Sequence, residues 1–179
     1  MNKIEITSSD TKIDAGLFKV VEQTVKGDFG TKTRHLVDRE PVVYIFPLTP
    51  EYDVYLTSQY RYNHGKHIID GVAGYVDPGE DPLVAAKREL KEEAVITADE
   101  LGKIGEFEIG AGVLKGKVHT YFAKGLSHGD TEFDEEEDIE LLKMPLSEAV
   151  NKVISGEINI TACCLGLLLL DKLKQEGKV

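Results

Sequence analysis

Three carboxylates and an arginine fall within the run Arg88-Glu89-Leu90-Lys91-Glu92-Glu93. At about 100° per residue, a helix places Glu89 and Glu93 one turn apart on one flank, with Glu92 beside them. Leu83, Ala86, Leu90 and Ala94 form the adjoining apolar stripe. Stacking Glu89 near Glu92 and Glu93 costs roughly 0.2–0.5 kcal/mol for each like-charge pair in water, and a bound cation reverses that sign. Carboxylate oxygens are hard donors suited to Mg²⁺, with Mn²⁺ the other candidate. Mg²⁺ keeps several of its waters and is shared between a few carboxylates and the phosphates of a substrate, so the pattern points to phosphate chemistry. Taken alone, the same three glutamates read as a solvated helix face, as charge runs usually are.

The helix that carries them has a clear start. Asp81 is placed to cap the first free amides, and Pro82 sits at the first helical position, where its missing N–H costs nothing. Upstream, residues 41–48 (PVVYIFPL) form an apolar run suited to a buried strand, and residues 53–60 (DVYLTSQY) are the expected partner. Arg61 closes that second strand. A guanidinium there suits bidentate contact with a phosphate, the alternative being a surface salt bridge. His64 and His67 share a glycine-bearing loop without further ligands at metal-binding spacing. No G-x-S-x-G elbow and no cysteine with a plausible histidine partner is present, which disfavours a covalent nucleophile.

Downstream, residues 104–107 and 118–123 read as strands joined by a glycine-bearing segment, and no helix follows to make that segment a phosphate cradle. Residues 129–140 (GDTEFDEEEDIE) are a second acidic feature, a solvated loop when taken alone, followed by a strand over 139–144. A helix is expected from Pro145, with Ser147 as its cap, Ala149, Val150, Val153 and Ile154 on its buried side and Gly156 at its end. A largely apolar helix follows over 161–174, packed into the domain. At the other end, residues 1–34 alternate loosely around a turn at Gly27 to Gly30, which predicts two or three antiparallel strands.

The wider spacing narrows the reading. Gly74, Glu80, Arg88-Glu89-Leu90, Glu92-Glu93 and the aliphatic Ile96 together resemble the Nudix box of the Nudix hydrolases. Val95 stands where that family usually has glycine, and a β-branched residue fits the left-handed end of a helix poorly, so the helix either ends differently here or runs on. Asp70-Gly71-Val72-Ala73-Gly74 resembles the E-x-P-A-G segment of the ADP-ribose pyrophosphatase branch. The resemblance implies a Nudix fold, an α/β (α+β) domain with a mixed β-sheet between helices, spanning residues 35–179. The antiparallel extension of residues 1–34 is then expected to pair with a second subunit, or else to form an edge hairpin on its own. The resemblance makes the Ala73 carbonyl a metal ligand beside Glu89, Glu92 and Glu93. In the acidic loop it makes Glu135 the general base, with a slip to Glu136 as the other register, and Glu137 a further metal ligand. Arg88 is expected to orient the glutamates through charge-assisted bonds, and Glu80 to assist. Where the branch carries S-P-G, a marker of substrate preference, this chain has Gly110-Ala111-Gly112, and Gly112 is the expected substrate contact.

Composition bounds the rest. The chain has 179 residues, 41% of them hydrophobic and 30% charged, which suits one globular catalytic domain. A formal net charge of −11 argues against a nucleic-acid backbone as partner and agrees with a site that gathers divalent cations. The two cysteines, Cys163 and Cys164, are adjacent in an apolar run and read as small core residues. No apolar signal segment opens the sequence, and no run is long enough to span a bilayer, so a reducing cytoplasm is the expected compartment. The expected reaction is Mg²⁺-dependent hydrolysis of the pyrophosphate bond of a nucleoside diphosphate derivative, ADP-ribose or a related nucleotide sugar. The alternative is a nucleotide-binding or sensor module of the same fold with little turnover.

Overall fold

The computed structural model describes residues 4–129 and 139–179. In chain order the elements are β1 (Glu5–Asp14), β2 (Phe18–Gly27), β3 (Gly30–Arg39), β4 (Val42–Pro47), β5 (Asp53–Arg61), β6 (Lys66–Asp70), β7 (Val72–Tyr75), α1 (Pro82–Ala94), β8 (Ile96–Glu108), β9 (Leu114–Lys115), β10 (Lys117–His128), β11 (Ile139–Pro145), α2 (Leu146–Ser155) and α3 (Thr161–Gln175). The chain divides into two compact units, Met1–Pro41 with Phe107–Val118, and Val42–Glu106 with His119–Val179.

The first unit is a β-meander. β1 pairs with β2 and β2 with β3, both antiparallel, with Gly27 opposite Gly30 across the tight turn the sequence marks. The third strand runs on to Arg39, and the short β9 joins it in parallel.

Among the described residues, the second unit holds the hydrophobic core and all three helices. Its strands form two sheets, in the orders β7-β4-β10-β8 and β11-β5-β6. The alternation along β4 shows why this sheet lies between helices. Val43 and Ile45 pack with Ala85, Ala86, Leu90 and Ala94 of α1, whereas Tyr44 and Phe46 pack on the other side with Cys163, Leu167 and Leu170 of α3. A strand buried on both faces reads as a continuous apolar run, which is what residues 42–47 are. Each fully buried Leu or Ile contributes roughly 1.5–3 kcal/mol.

The pairing expected between β4 and β5 does not form as a ladder. The flanks of β4 are taken by β7 and β10, so β5 lies in the other sheet between β11 and β6; Phe46 of β4 packs in one core cluster with Val54 and Leu56 of β5, and just past β4 the isolated bridge Leu48↔Val54 forms. Three side-chain expectations also fail. Leu83 lies on the exposed first turn of α1. Ile154 is 75% exposed near the end of α2. Ser147 is inside α2, whose N-cap is Pro145 without a side-chain bond, because β11 runs straight into the helix.

Helix α1 begins where its sequence signals place it. Asp81 is extended, and its Oδ1 accepts from Leu83 N–H at 2.8 Å, a cap that stabilises a helix by about 1 kcal/mol. It neither runs on nor ends in a different geometry. Val95 takes the left-handed conformation at φ 54°, ψ 32°, and its N–H bonds to the Leu90 carbonyl.

Candidate functional site

The acidic flank of α1 faces β7, and Arg88 organises it. One guanidinium serves five acceptor contacts. Nη1 donates to Glu89 Oε1 at 2.6 Å and to Glu92 Oε2 at 3.1 Å. Nη2 donates to the Tyr75 carbonyl at 2.9 Å and to Glu80 Oε2 at 3.1 Å, while Nε reaches Glu80 Oε1 at 3.3 Å. The Glu80 contact is a two-pronged fork, a geometry that arginine has and lysine lacks. Glu80 is itself fixed by the Asp77 N–H at 3.0 Å, so the turn before the helix and the helix face are tied through one cation.

Glu89 is almost fully buried. Its carboxylate lies against Gly74 of β7, where any Cβ would overlap it. Glu93, one turn later and half-buried, accepts from Ala73 N–H through Oε2 at 3.0 Å. Thus two successive residues of β7, Ala73 and Gly74, meet two glutamates spaced one helical turn apart. The strand is held in place by β4, with Tyr44 opposite Ala73 and Val43 opposite Gly74. Glu92 is the exposed member of the set.

The local electrostatics follow from burial and from this single cation. Burial pushes the Glu89 carboxyl above its ordinary range, and the bond from Arg88 offsets part of that. The fork to Arg88 is the main reason Glu80 titrates below the usual carboxylate range. The bond to Glu80 is also the main reason the guanidinium is held still more firmly protonated.

The donors on this face are hard carboxylate oxygens, with a backbone strand alongside them. Among the described residues no three His, Cys, Asp or Glu side chains already surround one point, since Arg88 draws Glu89 and Glu92 to itself. A Mg²⁺ ion that keeps several waters needs only one or two protein carboxylates directly, so the donor set fits such an ion.

Arg61 ends β5 opposite Lys66, is exposed, and acts by its charge on Asp70 at the far end of the β5–β6 hairpin. Gly112 belongs to the first unit, in the exposed turn before β9. Glu135, Glu136 and Glu137 lie outside the described residues. The acidic run is bounded on one side by Gly129, whose N–H bonds to the Val95 carbonyl at 2.9 Å, and on the other by Ile139, paired with Gln59. Sequence reasoning did not find the Tyr75 carbonyl, which no side-chain pattern reveals, or the Tyr44–Asp70 bond at 3.2 Å, which joins residues far apart in the chain.

Comparison with known proteins places these features in a family. The NUDIX domain profile matches residues 38–161. The "Methanol dehydrogenase activator" of Bacillus methanolicus is 32% identical over 125 residues, covering 69% of this chain and 68% of that protein. The "ADP-ribose pyrophosphatase" of Bacillus subtilis (strain 168) is 32% identical over 127 residues, covering 70% and 69%. Among solved structures, one described as an ADP compounds hydrolase superposes with a TM-score of 0.82 at 25% identity, covering 99% of this chain and 97% of that one.

Proposed function

Because the chain belongs to the NUDIX domain family, matched over more than half of its length, we propose that it is a Mg²⁺-dependent pyrophosphohydrolase acting on ADP-ribose or a related nucleoside diphosphate sugar. The observation that carries this reading is the convergence of Glu89, Glu92 and Arg88 on one face of α1, with Glu93 bonded to β7 beside them. The names of the relatives support ADP-ribose as the first substrate to test. Its hydrolysis forms a bond from a water oxygen to one phosphorus and breaks that phosphorus's bond to the bridging oxygen, giving AMP and ribose 5-phosphate.

Glu89, Glu92, Glu93 and the Ala73 carbonyl are the residues that would hold Mg²⁺. When bound, the ion offsets the charge that grows on the phosphoryl oxygens. Arg88 holds the glutamate carboxylates in place, and Arg61 is suited to bind the substrate's phosphates. In the roles that the resemblance gives them, Glu135 takes the proton of the attacking water, Glu137 adds a metal ligand and Gly112 contacts substrate. Residues 1–34 form the pairing element of a homodimer, and residues 35–179 the catalytic domain. Among the described residues no helix is long and apolar enough to cross a membrane, and we assign the protein to the cytoplasm.

A second reading has one specific motive. A relative of equal identity is named as an activator of another enzyme, which is the kind of role a nucleotide-binding module of this fold would have. A product screen separates the two. Protein with Mg²⁺ is offered ADP-ribose, GDP-mannose, UDP-glucose and NADH, with Glu93→Gln in parallel, and products are read by mass spectrometry. Cleavage by wild type, reduced at least 100-fold in Glu93→Gln, supports the hydrolase. Binding of these compounds without cleavage in Mg²⁺ or Mn²⁺ refutes it and supports the module.

A further inference from the structure

Asp70 ends β6 and is 8% exposed, yet the chemistry above makes no use of it. Its carboxylate is nevertheless fully engaged. Oδ1 accepts from Gly71 N–H at 2.9 Å and Oδ2 accepts from the Tyr44 hydroxyl at 3.2 Å, and the buried Cys163 thiol of α3 also favours its charged form. The Thr57 hydroxyl contacts the carbonyls of both Asp70 and Gly71, at 3.4 and 3.3 Å. A side chain at Gly71 would press on the rings of Tyr44 and Phe46, so the bend between β6 and β7 is closely packed on β4.

This bend leads directly into Ala73, and the residue across from Ala73 on β4 is Tyr44, the same residue whose hydroxyl Asp70 holds. Two routes therefore run from one buried carboxylate to the backbone that meets Glu93. One passes along the chain through Gly71 and Val72. The other passes across the sheet through Tyr44. A carboxylate is costly to bury and is kept only where its oxygens find donors. Here each oxygen is spent on a donor that fixes the position of β7.

We propose that Asp70 is a positioning residue that, through Gly71 and Tyr44, sets Ala73 against Glu93 and so tunes how tightly the acidic face binds a divalent cation. This rests on the metal-dependent reading above. Groups that orient metal ligands without touching the metal typically contribute tenfold to 100-fold in metal affinity.

The test titrates Mn²⁺ into the full chain without substrate, following free Mn²⁺ by electron paramagnetic resonance. Wild type is compared with Asp70→Ala, Asp70→Asn and Tyr44→Phe, with circular dichroism and urea melts as the check on folding. Asp70→Ala and Tyr44→Phe should bind Mn²⁺ about tenfold more weakly. Asp70→Asn can still accept from Gly71 and pair with Tyr44, and should stay within about threefold of wild type. In turnover, the metal concentration for half-maximal rate should rise in Tyr44→Phe, while KM for ADP-ribose at saturating metal stays constant. Folded Tyr44→Phe and Asp70→Ala proteins that bind Mn²⁺ as wild type does would overturn the role of Asp70 and leave the hydrolase reading intact. Wild type that binds no Mn²⁺ would overturn both.

Discussion

The carboxylate of Glu89 occupies the space that a side chain on Gly74 would need. The two residues are fifteen positions apart in the sequence, on β7 and α1, and the fold brings them into direct contact. Glycine at 74 is therefore explained by close approach, not by a turn. The clashing group is the end of a flexible side chain, so Gly74→Ala should fold and lose no more than about 2 kcal/mol. Its Glu89 carboxylate must move away from Arg88 and β7, however. Turnover should fall at least tenfold, with a raised metal requirement. Full activity in Gly74→Ala would show that the position of Glu89 does not matter.

Arg88 is not replaceable by another cation. Lys keeps the charge, but one ammonium has three donors and no planar fork, whereas Arg88 makes five contacts across Glu80, Glu89, Glu92 and Tyr75. Arg88→Lys leaves the nearly buried Glu89 with a poorer partner, at a cost of about 1–3 kcal/mol. Urea unfolding should show that loss, and turnover should drop by an order of magnitude or more. Equal stability and activity would mean that only the charge is used.

What the sequence reveals about this site is what is local in the chain. The cap at Asp81, the start of α1 at Pro82, the flank of Glu89 and Glu93, and the end of α2 at Gly156 all depend on neighbours a few residues away. Strand pairing is not local: the assignment of β4 and β5 to different sheets depends on β7 and β10 arriving from later in the chain. The same holds for Asp70, whose importance is invisible until Tyr44 and Cys163 are packed on it. Leu83 and Ile154 fail for a different reason. Helical periodicity gives a stripe, but not where the neighbouring sheet stops covering it.

Val95 is the case where local preference and tertiary structure oppose each other. A left-handed conformation costs an L-residue roughly 1–2 kcal/mol, and more when the side chain is branched at Cβ. Val95 adopts it while its carbonyl accepts from Gly129 N–H at 2.9 Å, at the entrance to the acidic run. Glycine removes the strain but frees the unfolded chain by about 0.5–1 kcal/mol. Val95→Gly should therefore stabilise the protein by roughly 0.5–1 kcal/mol in urea unfolding. A loss of stability instead would show that the half-buried valine side chain contributes more by packing than its backbone costs.

Asp70 gives the fold a specific pH dependence. Burial pushes its pKa up to about 6 from an ordinary 3.8, despite the bonds from Gly71, Tyr44 and Cys163 and the charge of Arg61. The folded state thus holds the proton more tightly than the unfolded chain does. Stability from this group is fully present below the unfolded value and is lost as pH rises through about 6. At about 1.4 kcal/mol per unit, the change between roughly pH 7 and pH 4.5 is on the order of 2 kcal/mol. Glu89 is raised as well and acts in the same sense, whereas Glu80, Asp14, Glu22 and Glu176 are lowered from ordinary values of 4.5 or 3.8, so their opposing change falls mostly below this window. Subtracting Asp70→Asn isolates the contribution of Asp70. The stability of wild type relative to this variant should rise by about 2 kcal/mol as pH falls across that window, read from urea melts. A difference that stays constant with pH would mean that Asp70 binds its proton equally tightly in the folded and unfolded states, and that burial does not raise its pKa.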